Sequence, residues 1–150
     1  MKRKALLVLG LAVALTCTNV VSVYAAEGEN YSIETYSNNN NKVVAAGSEQ
    51  TDITGDVSVT GNDETAVKTS DNAKVSVKGN VSADGNNTYG VWSTDNSSVS
   101  VQGNVSASGE SAEGVASRGN SSVKVSGNVT AEGGITPSGV DAVKGSSVTV

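Results

Sequence analysis

Apolar and polar residues alternate in short runs along most of the chain, and this pattern repeats every 24 residues. A Gly-Asn-Val triplet marks each copy at 79–81, 103–105 and 127–129, and Gly55-Asp56-Val57 precedes them at the same spacing. Around each triplet the sequence follows the consensus Val-x-Val-x-Gly-Asn-Val-x-Ala-x-Gly. Such a strict period indicates that every copy has the same structural role and buries its apolar face against its neighbours.

When the copies are laid over one another, the apolar positions form vertical columns with polar columns between them. The columns are Thr51-Val75-Val99-Val123-Val148, Ile53-Val77-Val101-Val125-Val150, Val57-Val81-Val105-Val129, Val59-Ala83-Ala107-Ala131 and Val67-Val91-Val115-Val140. Because successive side chains of a strand point to opposite faces, alternation places Val on one face and Ser, Lys or Asp on the other. Each copy therefore contains three short strands, at 75–78, 81–84 and 90–93 in the second copy.

These features predict an all-β fold, a parallel β-helix (solenoid) with about 24 residues per coil and three short strands per coil, over residues 49–150. Glycine and asparagine at 79–80 and their equivalents mark one turn, and a variable loop at 85–88 marks another. Aromatic residues make up 3% of the chain and Phe is absent, which is unfavourable for a core of large side chains. An antiparallel sandwich stays an alternative, although it does not require identical columns.

The first 25 residues have the composition of a cleaved secretion signal. Lys2, Arg3 and Lys4 precede an apolar run from Ala5 to Leu15, and Val23-Tyr24-Ala25 supplies small residues for a signal peptidase. We expect cleavage after Ala25, with Ala26 as the near alternative. The apolar run is too short to span a bilayer. A lipoprotein signal acylated at Cys17 is disfavoured, because Ala14-Leu15-Thr16 is a poor match to the required triplet.

Residues 26–48 are predicted as an N-terminal segment rather than a separate domain. The polar run 37–41 is typical of a spacer, and residues 43–46 are expected to form a short strand that covers the end of the array. The last residue, Val150, falls in the middle of the Val-x-Val pattern. We therefore expect the array to be truncated at the C-terminus, with further coils in a longer protein.

The residue types present disfavour several classes of function. The chain has no His, and its one Cys lies in the signal, so we expect no Ser-His-Asp or Cys-His site, no metal site built from His or Cys, and no cofactor. Removing the signal leaves 7 of the 10 basic residues against 15 acidic ones, a net charge of −8. That charge disfavours nucleic acid and anionic membrane surfaces as partners. We also expect no integral membrane segment in the mature chain.

Three small groups are the candidates for chemistry. Tyr89 and Trp92 have no aromatic counterparts in the next copy, and Trp92 should point outward because Val91 points inward. Local packing over a loop is the simpler explanation, and stacking on a sugar ring is the alternative.

The remaining candidates are a carboxylate pair in one outward column and oxygen ligands for calcium in one turn. The pair is Asp84 and Glu132, and the turn residues are Asp71-Asn72 and Asp95-Asn96. Solvated charges and turn capping are the favoured interpretations of both.

The columns of Val-x-Val-x-Gly-Asn-Val-x-Ala behind a secretion signal resemble the right-handed β-helix passenger regions of bacterial autotransporters and haemagglutinin-like surface adhesins. The resemblance covers residues 51–150 and rests on the style of the repeat. It implies a secreted or cell-surface (extracellular) protein that acts as a structural stalk or adhesin, with host or environmental glycans or surface proteins as partners. The alternative is the N-terminal part of a β-helix polysaccharide lyase or hydrolase, or of another carbohydrate-active protein. Such enzymes carry clustered charged residues on one face, and we expect none in this span.

Overall fold

The computed structural model describes residues 23–24, 31–36, 40–48 and 50–150 of the 150-residue chain. Every regular element within these residues is a β-strand. The strands are β1 (Val23–Tyr24), β2 (Tyr31–Tyr36), β3 (Asn40–Ala45), β4 (Gln50–Ile53), β5 (Val57–Thr60), β6 (Thr65–Thr69), β7 (Lys74–Val77), β8 (Val81–Asp84), β9 (Tyr89–Ser93), β10 (Ser98–Val101), β11 (Val105–Ser108), β12 (Glu113–Ser117), β13 (Ser122–Val125), β14 (Val129–Glu132), β15 (Ser138–Ala142) and β16 (Ser147–Thr149).

The strands stack into three sheets, and each turn of the chain contributes one strand to every sheet. The first sheet has the order β1-β4-β7-β10-β13-β16, the second β14-β11-β8-β5, and the third β15-β12-β9-β6-β3-β2. All pairings are parallel among the described strands except β1 with β4 and β2 with β3. The chain thus forms a parallel β-solenoid of about four turns, with roughly 24 residues and three strands per coil. This confirms the predicted fold class.

The strand register places the predicted columns directly above one another. Val75, Val99 and Val123 are consecutive partners in the first sheet, as Val81, Val105 and Val129 are in the second. Val67, Val91, Val115 and Val140 align in the third sheet. Because a slip of one residue would turn the whole apolar set outward, the buried face fixes this register. The repeat period therefore specifies the three-dimensional pairing.

The core is a narrow column of small β-branched and Ala side chains. Val57, Val81, Val105 and Val125 are at most 1% exposed, and Ile53 is the largest fully buried side chain. Small residues suffice because three sheets surround a thin interior. In the last coil the same columns are more open: Val129 and Val148 are only partly buried, and Val140 is 43% exposed.

Glycine is required where the coils approach most closely. Gly85 and Gly109 have φ angles of 143° and 121°, a region that L side chains rarely adopt. A Cβ on Gly109 would also collide with the carbonyl oxygen of Gly85 in the coil before it. The loop that follows these glycines takes up the extra residue of the fourth copy. Its exposed residue Ile135 lies outside the stacked strands.

The N-terminal segment differs in part from the sequence prediction. Residues 43–45 do form part of a strand, β3, which pairs in parallel with β6 and is covered by the antiparallel β2. Asn40 and Asn41 lie in β3, so assigning them to a spacer was wrong. The reason is specific hydrogen bonding, because the Asn41 Nδ2 donates to the Asp56 carbonyl at 2.8 Å and its Oδ1 accepts from the Ser58 N–H at 2.6 Å. The remainder of the predicted spacer, residues 37–39, lies outside the described residues.

Candidate functional site

The outer face of the third sheet carries the two aromatic residues singled out in the sequence. Both lie in β9, where Val91 is 0% exposed and points into the core. Tyr89 and Trp92 are half-buried on the opposite side. Their ring centroids are 4.6 Å apart and the ring planes meet at 85°, an edge-to-face arrangement. This geometry is a favoured one for aromatic pairs, because the positive edge of one ring meets the negative face of the other.

A guanidinium group from the next coil lies against the indole ring. Arg118 directly follows β12, and its Cζ is 4.7 Å from the centroid of the Trp92 ring, within the range of a cation–π interaction. The Arg118 Nη2 donates to the Asp141 Oδ2 at 3.0 Å. Asp141 pairs in register with Ala116, which in turn pairs with Trp92. Three successive coils thus supply one connected group of side chains.

Glu113 completes the group. It is the register partner of Tyr89, and its Oε2 is buried without a hydrogen bond to any residue that the structure describes. Burial raises the pKa of the Glu113 carboxyl above its ordinary value, and Asp141 adds to that effect while Arg118 opposes it. The pKa of the Tyr89 phenol is also raised, first by burial and then by Glu113. We call Tyr89, Trp92, Glu113, Arg118 and Asp141 the aromatic cluster.

Only the aromatic half of this cluster, Tyr89 and Trp92, was predicted from the sequence. The expectation that no charged residues gather on one face was wrong here, because Glu113, Arg118 and Asp141 meet on the outside of the third sheet. The repeat period contained the necessary signal. Glu113 lies one period after Tyr89, and Asp141 lies one period, lengthened by the inserted residue, after Ala116. Packing of the aromatic rings against charged side chains also differs from the expected packing over a loop.

The second candidate, Asp84 with Glu132, is separated by an intervening side chain. Both residues flank Ser108 in the second sheet, one coil to each side. The Ser108 Oγ donates to the Asp84 Oδ1 at 2.7 Å, so this carboxylate is already bonded within the column. An exposed carboxylate held by a neighbouring hydroxyl is typical of a solvated surface column.

The third candidate, the Asp-Asn turn, has a structural role in the geometry. Asp71 and Asn72 have φ angles of 56° and 70°, and Asp95 and Asn96 have 57° and 61°. Asp and Asn tolerate this left-handed region better than most residues. The Asn72 N–H donates to the Asp95 carbonyl at 2.9 Å, which continues the stacking through the turn. Across the part of the chain that the structure describes, no group of three or more His, Cys, Asp or Glu residues is placed to hold a metal ion.

A shallow concavity of about 440 Å³ lies on the outer face of the first sheet. Its lining consists mainly of hydroxyl-bearing side chains in register, and two lysines lie in the same columns. The residues that line it include Lys74, Ser76, Ser98, Ser100, Ser122 and Lys124. None of the described residues that line it is aromatic, so among these residues it has no counterpart of the stacking platform in the aromatic cluster.

No protein-family model matches the chain, and neither the curated proteins nor the solved structures contain a significant match to it. The resemblance to autotransporter and adhesin repeats therefore stays an interpretation of the repeat style, and the structure supports it at the level of a parallel β-solenoid.

The predicted signal and its cleavage site fall mostly outside the described residues, Ala25 and Ala26 included. Val23 and Tyr24 are described as β1, which pairs antiparallel with β4 through Ile53 and Asp52. Cleavage after Ala25 would remove this two-residue strand and leave β4 at the edge of the first sheet. Within the described residues, no helix has the length and apolar character needed to cross a membrane.

Proposed function

We propose that this chain is a secreted or cell-surface repeat protein whose solenoid serves as a structural stalk or adhesive surface. The observation that carries the proposal is the in-register stacking of identical columns across successive coils. Each coil offers the next one the same ladder of hydrogen bonds and the same apolar floor, so length can grow by repetition. The resemblance to autotransporter passenger regions and haemagglutinin-like adhesins points in the same direction, as does the signal-like N-terminus.

Stacking also separates the positions that hold the fold together from the surface positions that can carry functional side chains. The inward columns hold the fold, while outward positions vary between coils without changing the pairing. At the position of Trp92, for example, the preceding coil has Lys68 and the following coil has Ala116. Such a scaffold can display different surface groups along its length, which is the property that a stalk or an adhesin needs.

Export is tested by producing the full chain in a bacterial host and locating it by fractionation. We expect the chain outside the cytoplasm, beginning at Ala26 or Glu27 on N-terminal sequencing. A variant lacking residues 5–15 should stay in the cytoplasm with Met1 in place. A matched deletion within residues 37–41 should leave export unchanged, because it lies after the cleavage site. Recovery of the exported protein with Met1 or with lipid on Cys17 would overturn the proposal of a cleaved signal.

A second candidate function is a carbohydrate-active enzyme, which the charged part of the aromatic cluster favours. Burial raises the pKa of Glu113, the nearby carboxyl of Asp141 adds to that effect, and Asp141 is bonded to Arg118. The test is release of reducing ends from neutral and acidic polysaccharides by the purified chain. Turnover that disappears in both Glu113→Gln and Asp141→Asn would favour the enzyme, and binding without turnover would favour the adhesin.

A further inference from the structure

We propose that the aromatic cluster is a binding site for a neutral sugar ring, which would stack on the exposed part of the Trp92 and Tyr89 platform. The inference rests on the proposed adhesive role of the solenoid and names the ligand class that this surface would recognise. It is carried by three features of the cluster: its departure from the repeat, its pre-set ring geometry and its charge.

The fold does not require aromatic rings at these positions. Tyr89 occupies the register position of Thr65 in the preceding coil and Glu113 in the following one, and β9 pairs with both neighbours in the same way. Arg118 likewise occupies a column that holds Ser70 and Thr94 in the two preceding coils. A solenoid that folds with Thr, Lys and Ala at these sites does not need Tyr, Trp and Arg for its register. Residues that depart from a repeat at one surface spot are candidates for recognition.

The ring geometry is set before any ligand arrives. The guanidinium at 4.7 Å holds one side of the indole by a cation–π contact, and Tyr89 fixes it edge-on at 4.6 Å. The Arg118 guanidinium is itself held by the Asp141 carboxylate. The indole ring is fixed in this way and partly exposed, and its exposed part is the surface on which the C–H face of a pyranose would stack. Because the platform is pre-organised, binding would cost little conformational entropy.

The charges around the platform favour a neutral sugar over an acidic one. The cluster contains two carboxyl groups, and its one cation is already paired with Asp141. A uronate would therefore meet two carboxyl groups while the guanidinium is already taken, against the ammonium of Lys68, the register partner of Trp92 in the preceding coil. Sugar hydroxyls, in contrast, can donate to the carboxylates while the ring stacks.

Trp92 is the one tryptophan of the chain, so its fluorescence reports directly on the proposed site. The experiment titrates the purified full chain with cellohexaose, mannohexaose, chitohexaose and hexagalacturonate, and records Trp emission together with calorimetric heats. We expect a saturable change in emission with at least one neutral hexasaccharide and none with hexagalacturonate. Trp92→Ala and Tyr89→Ala, checked for native circular dichroism, should weaken the calorimetric affinity by about tenfold or more.

Two further variants separate the site from the scaffold. Arg118→Lys keeps the positive charge but lacks the planar guanidinium group that contacts both Asp141 and the indole. The affinity of this variant for the hexasaccharide should therefore also fall. Ser100→Ala lies on the first sheet, on a different face, and should bind like the parent chain.

Three results would overturn the proposal: no saturable response to any neutral hexasaccharide, binding of hexagalacturonate alone, or full affinity in the folded Trp92→Ala variant. These measurements use purified protein, so they do not depend on whether the chain is exported. If the chain is exported but binds no sugar, the stalk proposal stands and the proposed sugar site is rejected. If the chain binds sugar but is not exported, the sugar site stands and the proposal of a secreted protein is rejected.

Discussion

The side-chain Oδ1 of Asn80 accepts a hydrogen bond of 2.9 Å from the backbone N–H of Asn104 in the next coil. The relationship recurs one coil earlier, where the Asp56 Oδ1 accepts from the Asn80 N–H at 2.7 Å, and one coil later, where Asn104 accepts from Asn128 at 2.9 Å. A side chain thus continues the hydrogen-bonded ladder around a corner where the sheets change direction. Stacked amides of this kind also stabilise other stacked-strand structures.

Asn104→Ala is therefore expected to lower the free energy of unfolding by about 1 kcal/mol, because the Asn128 N–H loses its acceptor. Gln102→Ala is the matched control, since Gln102 is an exposed residue of the same coil and should change stability little. Urea unfolding followed by circular dichroism measures both. Equal stability of the two variants would show that water replaces the Asn104 oxygen without cost.

The stacking of this corner was predictable from the sequence, but its atomic pairing was not. Asn80, Asn104 and Asn128 share a column, and amide stacking follows from that alone. Amide-to-amide ladders and amide-to-backbone bonds are both compatible with the same column. The position of the corner relative to the next coil decides between them, and only the three-dimensional structure shows it.

The second prediction concerns the direction of the side chains in one coil. Val105 is 0% exposed between Val81 and Val129, so Val105→Asp would bury a carboxylate without a partner and cost several kcal/mol. Ser100→Asp places the same group on the outer face beside Lys124 and should stay within about 0.5 kcal/mol of the parent chain. Far-UV circular dichroism at 25 °C distinguishes them. A comparable loss of β-signal in both variants would contradict the register.

The third prediction follows from the raised pKa of Glu113. A carboxyl whose pKa is higher in the folded chain stabilises the fold when protonated, so its contribution is fully present below the unfolded pKa. That contribution is lost as the pH rises through the folded pKa. Glu113→Gln mimics the protonated form. It should be more stable than the parent chain at pH 7, and this difference should shrink as the pH falls toward 4.

Urea unfolding of both chains between pH 4 and pH 7 measures this difference in free energy. Glu110→Gln is the control, because Glu110 is an exposed residue in the loop before β12. Its stability should follow that of the parent chain across the range. If the gain in Glu113→Gln grew on acidification, the carboxylate would have to be stabilised by the fold, contrary to the burial of its Oε2.

The aromatic cluster shows why surface chemistry was harder to predict than the fold. Comparison of equivalent positions in all copies reveals the core, because Val recurs at the same positions in every coil. Arg118 and Asp141 occur once each in their columns, so a repeat-based analysis treats them as isolated surface charges. Their meeting depends on side-chain reach across neighbouring coils, as in the 3.0 Å bond between them. Sequence period alone gives the neighbours of a residue, but it does not give the direction of a long side chain.

The last prediction tests the solenoid as a stack of interchangeable coils. Deletion of residues 99–122 removes one full period and joins Ser98 to Val123, so the shortened strand still aligns with Lys74–Val77. We expect a folded chain with a lower free energy of unfolding and a denaturant m-value reduced by roughly a quarter, because one of about four coils is lost. Deletion of residues 99–110 removes half a period and shifts β12 to the positions of residues 101–105, which span the turn between β10 and β11, so the apolar columns lose their register. That chain should lose its β-sheet circular dichroism.

The 24-residue deletion retains Trp92, so its unfolding can be followed by fluorescence as well as by circular dichroism. If both deletions unfolded the chain equally, coils would not be the units of stability. The stalk proposal would then lose its physical basis, because growth by repetition requires each coil to stack on any other.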